Sequence, residues 1–341
     1  MTSLERIRSV VAGQPADQLP VQPMVMMFAA RHAGIPFIDY TRDGRKMAEA
    51  QLRVAEDFQL DCLLTCSDPA REVIDIAGAG SVEWFTDQGP AINEDRAALL
   101  DKTCLRQFQV PDPLGGGRMH DRIKAIEIMR RQASPGMSIV GWVEGPLALA
   151  QELRGLNRIM MDLVDDPAFV GDLLDFTAAV ACRYADAQIA AGADTIGMSD
   201  AAASLIGPDH YRTFLLPRQL RVLRAIKDRH PAILTRLHMC GQTGSLIESM
   251  RELPVDIYEL DFPVDLPQAR TRLGPERVIS GNVSTITDLL TGSPADVFQA
   301  AARCHQVSGR YHIVNSGCEV SPRTPPENLR ALVEYARSHQ P

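Results

Sequence analysis

The chain has 341 residues, of which 45% are hydrophobic and 23% charged, and its formal net charge is −8. This composition is typical of a folded globular protein and does not indicate disorder. The Lys and Arg residues are scattered among acidic ones, so the sequence offers no basic face to a nucleic acid partner.

No apolar run approaches the ~18 residues that a membrane span needs, and the N-terminus is charged throughout, without the apolar core of a signal peptide. We therefore expect no membrane partner and a cytoplasmic location. The seven cysteines are odd in number and unevenly spaced. In a chain of this size they indicate core thiols, metal ligands or both, and not a disulfide framework.

Short apolar, β-branched runs recur along the chain and predict eight strands. In chain order they cover residues 21–28, 61–68, 138–145, 193–200, 232–240, 257–262, 278–283 and 311–318. Amphipathic helical patterns lie between them, such as "KMAEAQLRVAEDF" and "PADVFQAAARCHQVSG". Strands that alternate with helices indicate parallel pairing through crossover connections. Eight such units, with no phosphate-binding glycine motif, favour a (β/α)8 TIM barrel over an open doubly wound sheet.

The domain organisation predicted for this barrel is a single domain over residues 1–341. Residues 69–137, after the second strand, are too many for one simple connection. We interpret them as an insertion that contains short extra strands and a helix and covers part of one barrel end.

The ends of the predicted strands are unusually polar. In barrels of this type the active site forms at the C-terminal ends of the strands. The residues at or near these ends are Asp68, Glu144, Asp200, His238, Cys240, Asp261, Asn282 and Cys318. Helix N-capping explains some of the Asp and Asn residues, but it does not explain the thiols.

The segment "LTRLHMCG" places His238 and Cys240 two residues apart, so on a strand they share a face. By itself this spacing is more often that of a buried Cys beside a hydrogen-bonded His. Cys318, however, ends the eighth strand, which converges on the same barrel mouth. A His/Cys/Cys set suits tetrahedral Zn²⁺ with one position open. Water is the default fourth ligand, and Glu259 or Asp261 are the protein alternatives.

The remaining candidates are interpreted mainly as packing. Five other cysteines are predicted core residues: Cys62, Cys66, Cys104, Cys182 and Cys304. His32 follows the first strand and is a candidate for the mouth. Met26, Met27, Trp142 and Met198 would make the pocket partly apolar, although such residues at strand ends more often serve packing.

Several segments together resemble the uroporphyrinogen decarboxylase superfamily, in the right order and over nearly the whole chain. They are "DQLPVQPM", "GWVEGPLALAQELRG", "GADTIGMSD", "YRTFLLP", "LHMCG", "GNVSTITDLLTG" and "NSGCEVSPRTPPENL". The resemblance implies a (β/α)8 barrel, in agreement with the strand count.

Two branches of this superfamily differ in chemistry. The decarboxylases carry an RQAGR-type motif whose arginines hold substrate carboxylates; here "ARHAGIPF" keeps Arg31 but has Ile35 at the second arginine. They also carry His in the last-strand motif where this chain has Cys318 in "SGCE", although "CSD" does supply the Asp68 that they use. The zinc- and cobamide-dependent methyltransferase branch has a His-x-Cys and a distant Cys as zinc ligands. The segments "HMC" and "GCE" match that pattern, so the chain resembles the methyltransferase branch.

This resemblance implies a zinc enzyme that moves a methyl group between a corrinoid (cobamide) and a small substrate, either a thiol acceptor or a methylated donor. The direction stays open. The corrinoid is expected on a separate corrinoid protein, because the chain has no clear Asp-x-His-x-x-Gly motif and no segment large enough for a second domain.

Three carboxylates, Asp68, Glu144 and Asp200, are the predicted catalytic residues, which would hydrogen-bond the substrate or act as a general base. The alternative functions are a decarboxylase-like lyase, another zinc enzyme such as a hydrolase, and a barrel that binds a ligand without chemistry.

Overall fold

The computed structural model describes all residues from 1 to 341. The strands are β1 Cys62–Leu64, β2 Val82–Glu83, β3 Ala91–Ile92, β4 Ser138–Glu144, β5 Thr195–Ser199, β6 Leu234–Met239, β7 Ile257–Leu260, β8 Val278–Ser280 and β9 His312–Ile313. The helices are α1 Ser3–Val11, α2 Met27–Ala33, α3 Phe37–Arg42, α4 Gly44–Phe58, α5 Ala70–Ala77, α6 Arg118–Gln132, α7 Pro146–Arg154, α8 Leu156–Asp165, α9 Pro167–Ala190, α10 Gly207–His210, α11 Leu216–Arg229, α12 Ile247–Met250, α13 Leu266–Leu273, α14 Pro294–Ser308 and α15 Pro326–Ser338.

Seven strands form one parallel sheet in the order β1-β4-β5-β6-β7-β8-β9. Seven of the eight predicted strands are therefore confirmed, as is the alternation of strands with helices. The register places Glu144 opposite Ser199, Ser199 opposite His238, and His238 opposite Glu259. These residues lie at one level near the carboxyl ends of their strands, where the sequence predicts the site.

The predicted first strand over residues 21–28 is wrong. Only Val21 makes an isolated parallel bridge, and helix α2 already begins at Met27. Pro23 has no N–H and cannot donate to a sheet ladder. The N–H of Met27 is instead accepted by the carboxylate of Glu319, at 2.8 Å.

Residues 20–22 nevertheless lie between the two edges of the sheet. The N–H of Val314, just after β9, donates to the carbonyl of Pro20 at 2.9 Å. The N–H of Asp61, just before β1, donates to the carbonyl of Val21 at 3.0 Å. The result is a curled, barrel-like sheet of seven strands, with a short extended segment in the eighth place.

Apolar packing closes one end of this sheet and leaves the other end free for a site. Ile7 of α1 packs with Leu234, Ile257 and Val278, which begin their strands. Helix α1 thus covers the amino ends of the strands. A second cluster, which includes Leu64, lies inside the sheet, and a large continuous core joins its outer face to the helices.

Residues 69–137 contain the short extra strands that the sequence predicts. Strands β2 and β3 pair antiparallel, and helices α5 and α6 flank them. Among the helices of the chain, none has the length and apolarity that crossing a bilayer requires.

Candidate active site

Three side chains converge near the carboxyl ends of β6 and β9. The Nε2 atom of His238 lies 3.1 Å from Cys240 Sγ and 3.8 Å from Cys318 Sγ. The two sulfur atoms are 3.8 Å apart. All three donor atoms lie within 4.8 Å of one another, so they could hold one metal ion. This meeting of a His-x-Cys pair with a thiol from the last strand is the arrangement that the sequence predicts.

Two glycines next to the thiols allow this convergence. Gly241 follows Cys240 with a φ of +81°, a conformation that side chains disfavour, and its N–H donates to Asp261 at 2.6 Å. Gly317 precedes Cys318, and a Cβ at this position would lie 2.4 Å from the backbone nitrogen of Phe262. A side chain is thus disfavoured next to each thiol, by backbone conformation at Gly241 and by lack of space at Gly317.

The second imidazole nitrogen of His238 faces a buried carboxylate. His238 Nδ1 lies 3.9 Å from Glu259 Oε2 and has no hydrogen-bond partner. Glu259 is itself held by Arg236 Nε at 2.5 Å and by Asn315 Nδ2 at 2.8 Å. A carboxylate behind a histidine is the arrangement that orients metal-ligating imidazoles in proteins.

The two carboxylates considered as a fourth ligand do not join the three donor atoms. Glu259 lies on the Nδ1 side of the imidazole, and its oxygens are bonded to Arg236 and Asn315. Both oxygens of Asp261 accept backbone N–H groups, from Gly241 and Phe262. The group of convergent donors therefore consists of His238 and the two thiols.

The electrostatics of the three donors favour a thiolate at Cys318. The hydrogen bond with Cys240, followed by that with His238, lowers the pKa of Cys318 to about 4, although burial opposes the thiolate. The hydrogen bond with Cys318 raises the pKa of Cys240. Burial is the largest influence on His238 and opposes its protonation, but Glu259, Cys318 and Asp261 together outweigh burial and raise its pKa.

A cavity of about 330 Å³ has the three donor side chains in its wall. Its apolar wall includes Met24, Met26, Met27, Phe37 and Trp142. The partly apolar pocket predicted from Met26, Met27 and Trp142 is thus present, whereas Met198 belongs to the buried core and does not line it. A larger hollow of about 810 Å³ between α4 and α6 is lined mainly by charged residues and contains none of the three donors.

Asp68 lies in the cavity wall after β1 and is tied to an arginine. Arg118 donates to both of its oxygens, at 2.7 and 2.9 Å, and Ser67 Oγ donates at 2.7 Å. Burial is the largest influence and opposes ionisation of this carboxyl, but Arg118, Arg71 and Ser67 together outweigh burial and lower its pKa. Asp68 is thus a fixed carboxylate on the cavity wall.

Glu144, at the end of β4, also lines the cavity. Arg71 Nη2 donates to Glu144 Oε1 at 3.1 Å and to Glu72 Oε1 at 3.4 Å. Two buried carboxyls therefore share one buried guanidinium. Burial raises the pKa of Glu144 well above its ordinary value, even with Arg71 beside it. The raised pKa makes the ionised form of Glu144 a stronger proton acceptor than an ordinary carboxylate.

Asp200, at the end of β5, is fully buried and is not part of the cavity wall. Its Oδ1 accepts the N–H groups of Leu147 and Ala148 at 2.9 Å, and its Oδ2 accepts from Gln219 Nε2 at 2.7 Å. Burial raises the pKa of Asp200 to about 6. The carboxylate thus anchors the first turn of α7, and the structure does not bring it to the three donors.

Two cavity carboxyls were missed by the sequence reasoning. Glu152 lies on α7, and its only hydrogen-bond partner is the Gln151 amide, at 3.2 Å. Glu319 follows Cys318 and accepts only the N–H of Met27. Burial raises the pKa of each to about 7. The position of Glu319 beside a predicted ligand was a usable signal, whereas Glu152 sits inside a helix and no strand-end rule finds it.

The other predicted residues have mixed outcomes. His32 does not enter the cavity: its Nε2 lies 2.7 Å from Asp57, and its ring packs on Phe58. All seven cysteines are free thiols. Cys62 is buried in the core as predicted, but Cys66 also lines the cavity.

Comparisons with known proteins place the chain among a defined set of relatives. Residues 2–339 match the family model described as uroporphyrinogen decarboxylase (URO-D). The methylcobamide:CoM methyltransferase MtbA of Methanosarcina mazei is 31% identical, over 99% of this chain and 98% of that protein. The uroporphyrinogen decarboxylase of Thioalkalivibrio sulfidiphilus is 25% identical, over 97% of this chain and 96% of that protein.

Among solved structures, a methyltransferase from Methanosarcina mazei superposes on this chain with a TM-score of 0.89. The two chains are 23% identical, and the superposition covers 99% of each. At this identity the likeness concerns the fold.

Proposed function

Because this chain belongs to the uroporphyrinogen decarboxylase family, we propose that it is a methyltransferase of that family, which moves a methyl group between a corrinoid and a small substrate. Its 31% identity to a methylcobamide:CoM methyltransferase, over nearly the whole of both chains, supports this function. The observation that carries the proposal is the convergence of His238, Cys240 and Cys318 in one cavity wall.

The donor set fits a zinc ion. A tetrahedral ion with Zn–S bonds of ~2.3 Å spaces two sulfur ligands about 3.8 Å apart, which is the separation of Cys240 Sγ and Cys318 Sγ. Thiolate and imidazole are the ligands that Zn²⁺ favours, and three protein ligands with one open position are typical of catalytic zinc. His238 Nδ1 has no hydrogen-bond partner. This supports a ring that presents its other nitrogen, Nε2, to the ion.

The residues around the donor set would then have distinct roles. When bound, zinc would act as a Lewis acid on a substrate thiol or on a methylated heteroatom. Glu259, which faces His238 Nδ1 at 3.9 Å, would orient the imidazole and favour its ligation. Glu144 would accept the proton that a substrate thiol gives up, and Asp68, fixed by Arg118, would hydrogen-bond the substrate. For Asp200 the contacts support positioning of α7, which carries Glu152.

In the thiol direction, the substrate sulfur takes the methyl group from the cobalt of a methylcobamide. One S–C bond forms and one Co–C bond breaks, and the electron pair of the broken bond stays on cobalt. With a methylated donor, the methyl group would move in the opposite direction, from the donor to the cobalt. We infer that the corrinoid belongs to a separate corrinoid protein that docks at the barrel mouth.

The cavity also bears on the domain organisation. We infer that residues 1–341 form one (β/α)8-type domain, in which residues 20–22 take the place of a strand. Pro69 and Gly89 line the cavity. This placement supports residues 69–137 as an insertion that covers part of the mouth.

A decarboxylase function has less support. The family includes decarboxylases at lower identity, and a polycarboxylate substrate needs cationic side chains. No Lys or Arg lines the cavity, and Ile35 stands where the resemblance expects the second arginine.

The test is spectroscopic. The zinc-loaded protein is mixed with methylcob(III)alamin and a panel of small thiols, and then with cob(I)alamin and methylated donors, while the cobalt absorbance is followed. We expect conversion in one of the two mixtures, and none with Cys318→Ala. Absence of conversion in both mixtures, from a folded and zinc-loaded protein, overturns the proposal and favours the hydrolase alternative.

A further inference from the structure

The side chains that line the cavity are unbalanced in charge. Four acidic residues contribute to its wall: Asp68, Glu144, Glu152 and Glu319. No Lys or Arg side chain lines it. A small anion in this cavity would meet carboxyl groups and no cationic partner.

Two of the four carboxyls have cations behind them, and two do not. Asp68 is paired with Arg118 and Glu144 with Arg71. Glu152 is bonded only to the neutral amide of Gln151, and Glu319 only to a backbone N–H. Burial without a cationic partner raises the pKa of Glu152 to about 7. A positive charge nearby would relieve this cost.

The metal centre would not supply that charge. Two thiolates would offset the formal charge of Zn²⁺, and His238 would ligate as neutral imidazole. The rest of the wall suits a cation: Trp142 and Phe37 offer aromatic rings, and Met24 and Met26 offer thioethers.

Resting on the proposed function, we propose that the substrate of this cavity carries a positive charge, as a quaternary or protonated amine, and that small anionic thiols bind poorly. The cationic group lies against Glu152, while the thiol or methylated heteroatom faces His238, Cys240 and Cys318. Selectivity then comes from the charge of the substrate's tail, since the metal-facing end is common to all candidate substrates.

The test thiols must be short because of a neighbouring hollow. It shares Met27 and Phe37 with the cavity and contains Arg31 and Arg323. A long anionic chain could reach those arginines. Thiols with a two-carbon chain keep their charged group close to the sulfur and therefore report on the cavity itself.

The test uses three thiols of similar shape that differ in charge: thiocholine, its neutral isostere 3,3-dimethylbutane-1-thiol, and 2-mercaptoethanesulfonate. The quaternary nitrogen of thiocholine cannot ligate a metal, but it makes the thiol more acidic, so the contribution of the cavity is the part of the advantage that Glu152→Gln removes. Binding to the zinc-loaded full chain is measured by titration calorimetry. We expect thiocholine to bind at least tenfold more tightly than the neutral thiol, and the sulfonate to bind most weakly. Any other order, or no binding by all three, overturns the inference.

The variant Glu152→Gln tests whether the preference for thiocholine depends on Glu152. Glu152→Gln removes the charge and keeps the shape, and we expect the preference for thiocholine over the neutral thiol to fall by about tenfold, or ~1.4 kcal/mol. Glu334→Gln, at an exposed position of α15, is the matched control and should keep the full preference. An unchanged preference in Glu152→Gln would contradict the assigned position of the cation. The order measured on the unmodified chain stands even if the variant does not fold.

Failure of this inference is distinguishable from failure of the proposed function, because the calorimetry involves no cobalt. Binding in the expected order without methyl transfer from methylcob(III)alamin would refute the function and keep the charge selectivity. Methyl transfer with a preference for the sulfonate would keep the function and refute the selectivity.

Discussion

His238 and Glu259 are register partners on β6 and β7, and the Nδ1 of the imidazole lies 3.9 Å from the carboxylate Oε2. The same carboxylate accepts from Arg236, two residues before His238 on β6. One buried acid thus bonds a structural guanidinium and faces the imidazole of the candidate metal centre. Metal affinity and stability are therefore coupled at Glu259.

Glu259→Gln should lower both quantities. The free energy of unfolding should fall by about 3 kcal/mol, because Arg236 is left buried without its counter-charge. Zinc affinity should fall roughly 10- to 100-fold, because the imidazole loses its orienting carboxylate. Denaturant titration and competition with a chelator measure the two effects. Glu334→Gln is the exposed control and should change stability by less than ~0.5 kcal/mol. A parental zinc affinity in Glu259→Gln would show that the carboxylate does not support the centre.

The chain should bind about one zinc ion, as expected of a single three-ligand centre, and lose it on substitution of a ligand. Cys240→Ala or Cys318→Ala should give a folded, zinc-poor and inactive protein, because the three donors lie at the strand ends and not in the apolar core. Elemental analysis, thermal melts and the cobalt spectrum report on the three properties. Cys182→Ala is the matched control, since Cys182 lies outside the cavity. Insoluble ligand variants would mean that the metal is structural.

Asp200→Asn separates a catalytic role from a positioning role. The oxygen of Asn can still accept from Leu147 and Ala148, but its amide nitrogen would face Gln219 Nε2 and cannot accept from it. We expect a loss of about 1–3 kcal/mol in stability, with turnover reduced only as far as α7 is displaced. Melts and kinetics on the same samples decide the matter. A large loss of turnover at parental stability would support the predicted catalytic role.

Acid should destabilise the protein through His312. This side chain is buried, and burial lowers its pKa from 6.5 to about 3. Between pH 6.5 and about 3, His312 is therefore protonated in the unfolded chain but neutral in the folded chain. The free energy of unfolding consequently decreases as the pH falls below about 6.5. From pH 7.5 to 5 the loss amounts to ~2 kcal/mol at ~1.4 kcal/mol per pH unit. Denaturant titrations at both pH values test this. The variant His312→Gln should lose ~2 kcal/mol less over the same interval, and an equal loss in both proteins would contradict the assignment.

Local sequence pattern predicts most of the fold. Apolar runs such as Ser138–Glu144 become strands, and the capped, Gly-terminated pattern at Pro294–Ser308 becomes helix α14. The failure at residues 21–28 has a specific cause. Their apolar character is that of a strand, but Pro23 interrupts the donors, and a contact with Glu319, almost the whole chain away, begins a helix at Met27. Rules based on local sequence cannot predict a contact between residues so far apart in the chain.

The sequence likewise predicts one part of the candidate site and misses another. His238, Cys240 and Cys318 meet because the ends of parallel strands converge, and topology alone predicts that meeting. Their role as zinc ligands stays a prediction. Glu152 and the pairing of Glu144 with Arg71 depend on how helices lie against the sheet, which periodicity does not specify. Asp200 shows the limit of the strand-end rule, because its side chain turns towards α7 and away from the cavity.

The segment at residues 20–22 has a consequence for biosynthesis. Its backbone bonds to Val314 join the first tenth of the chain to the last tenth. Until the end of the chain leaves the ribosome, the nascent protein has an open sheet with unpaired backbone groups along one edge. Premature termination before Val314 would leave that edge permanently available to another polypeptide. Closure of this edge therefore requires that the segment around Val314 has been synthesised.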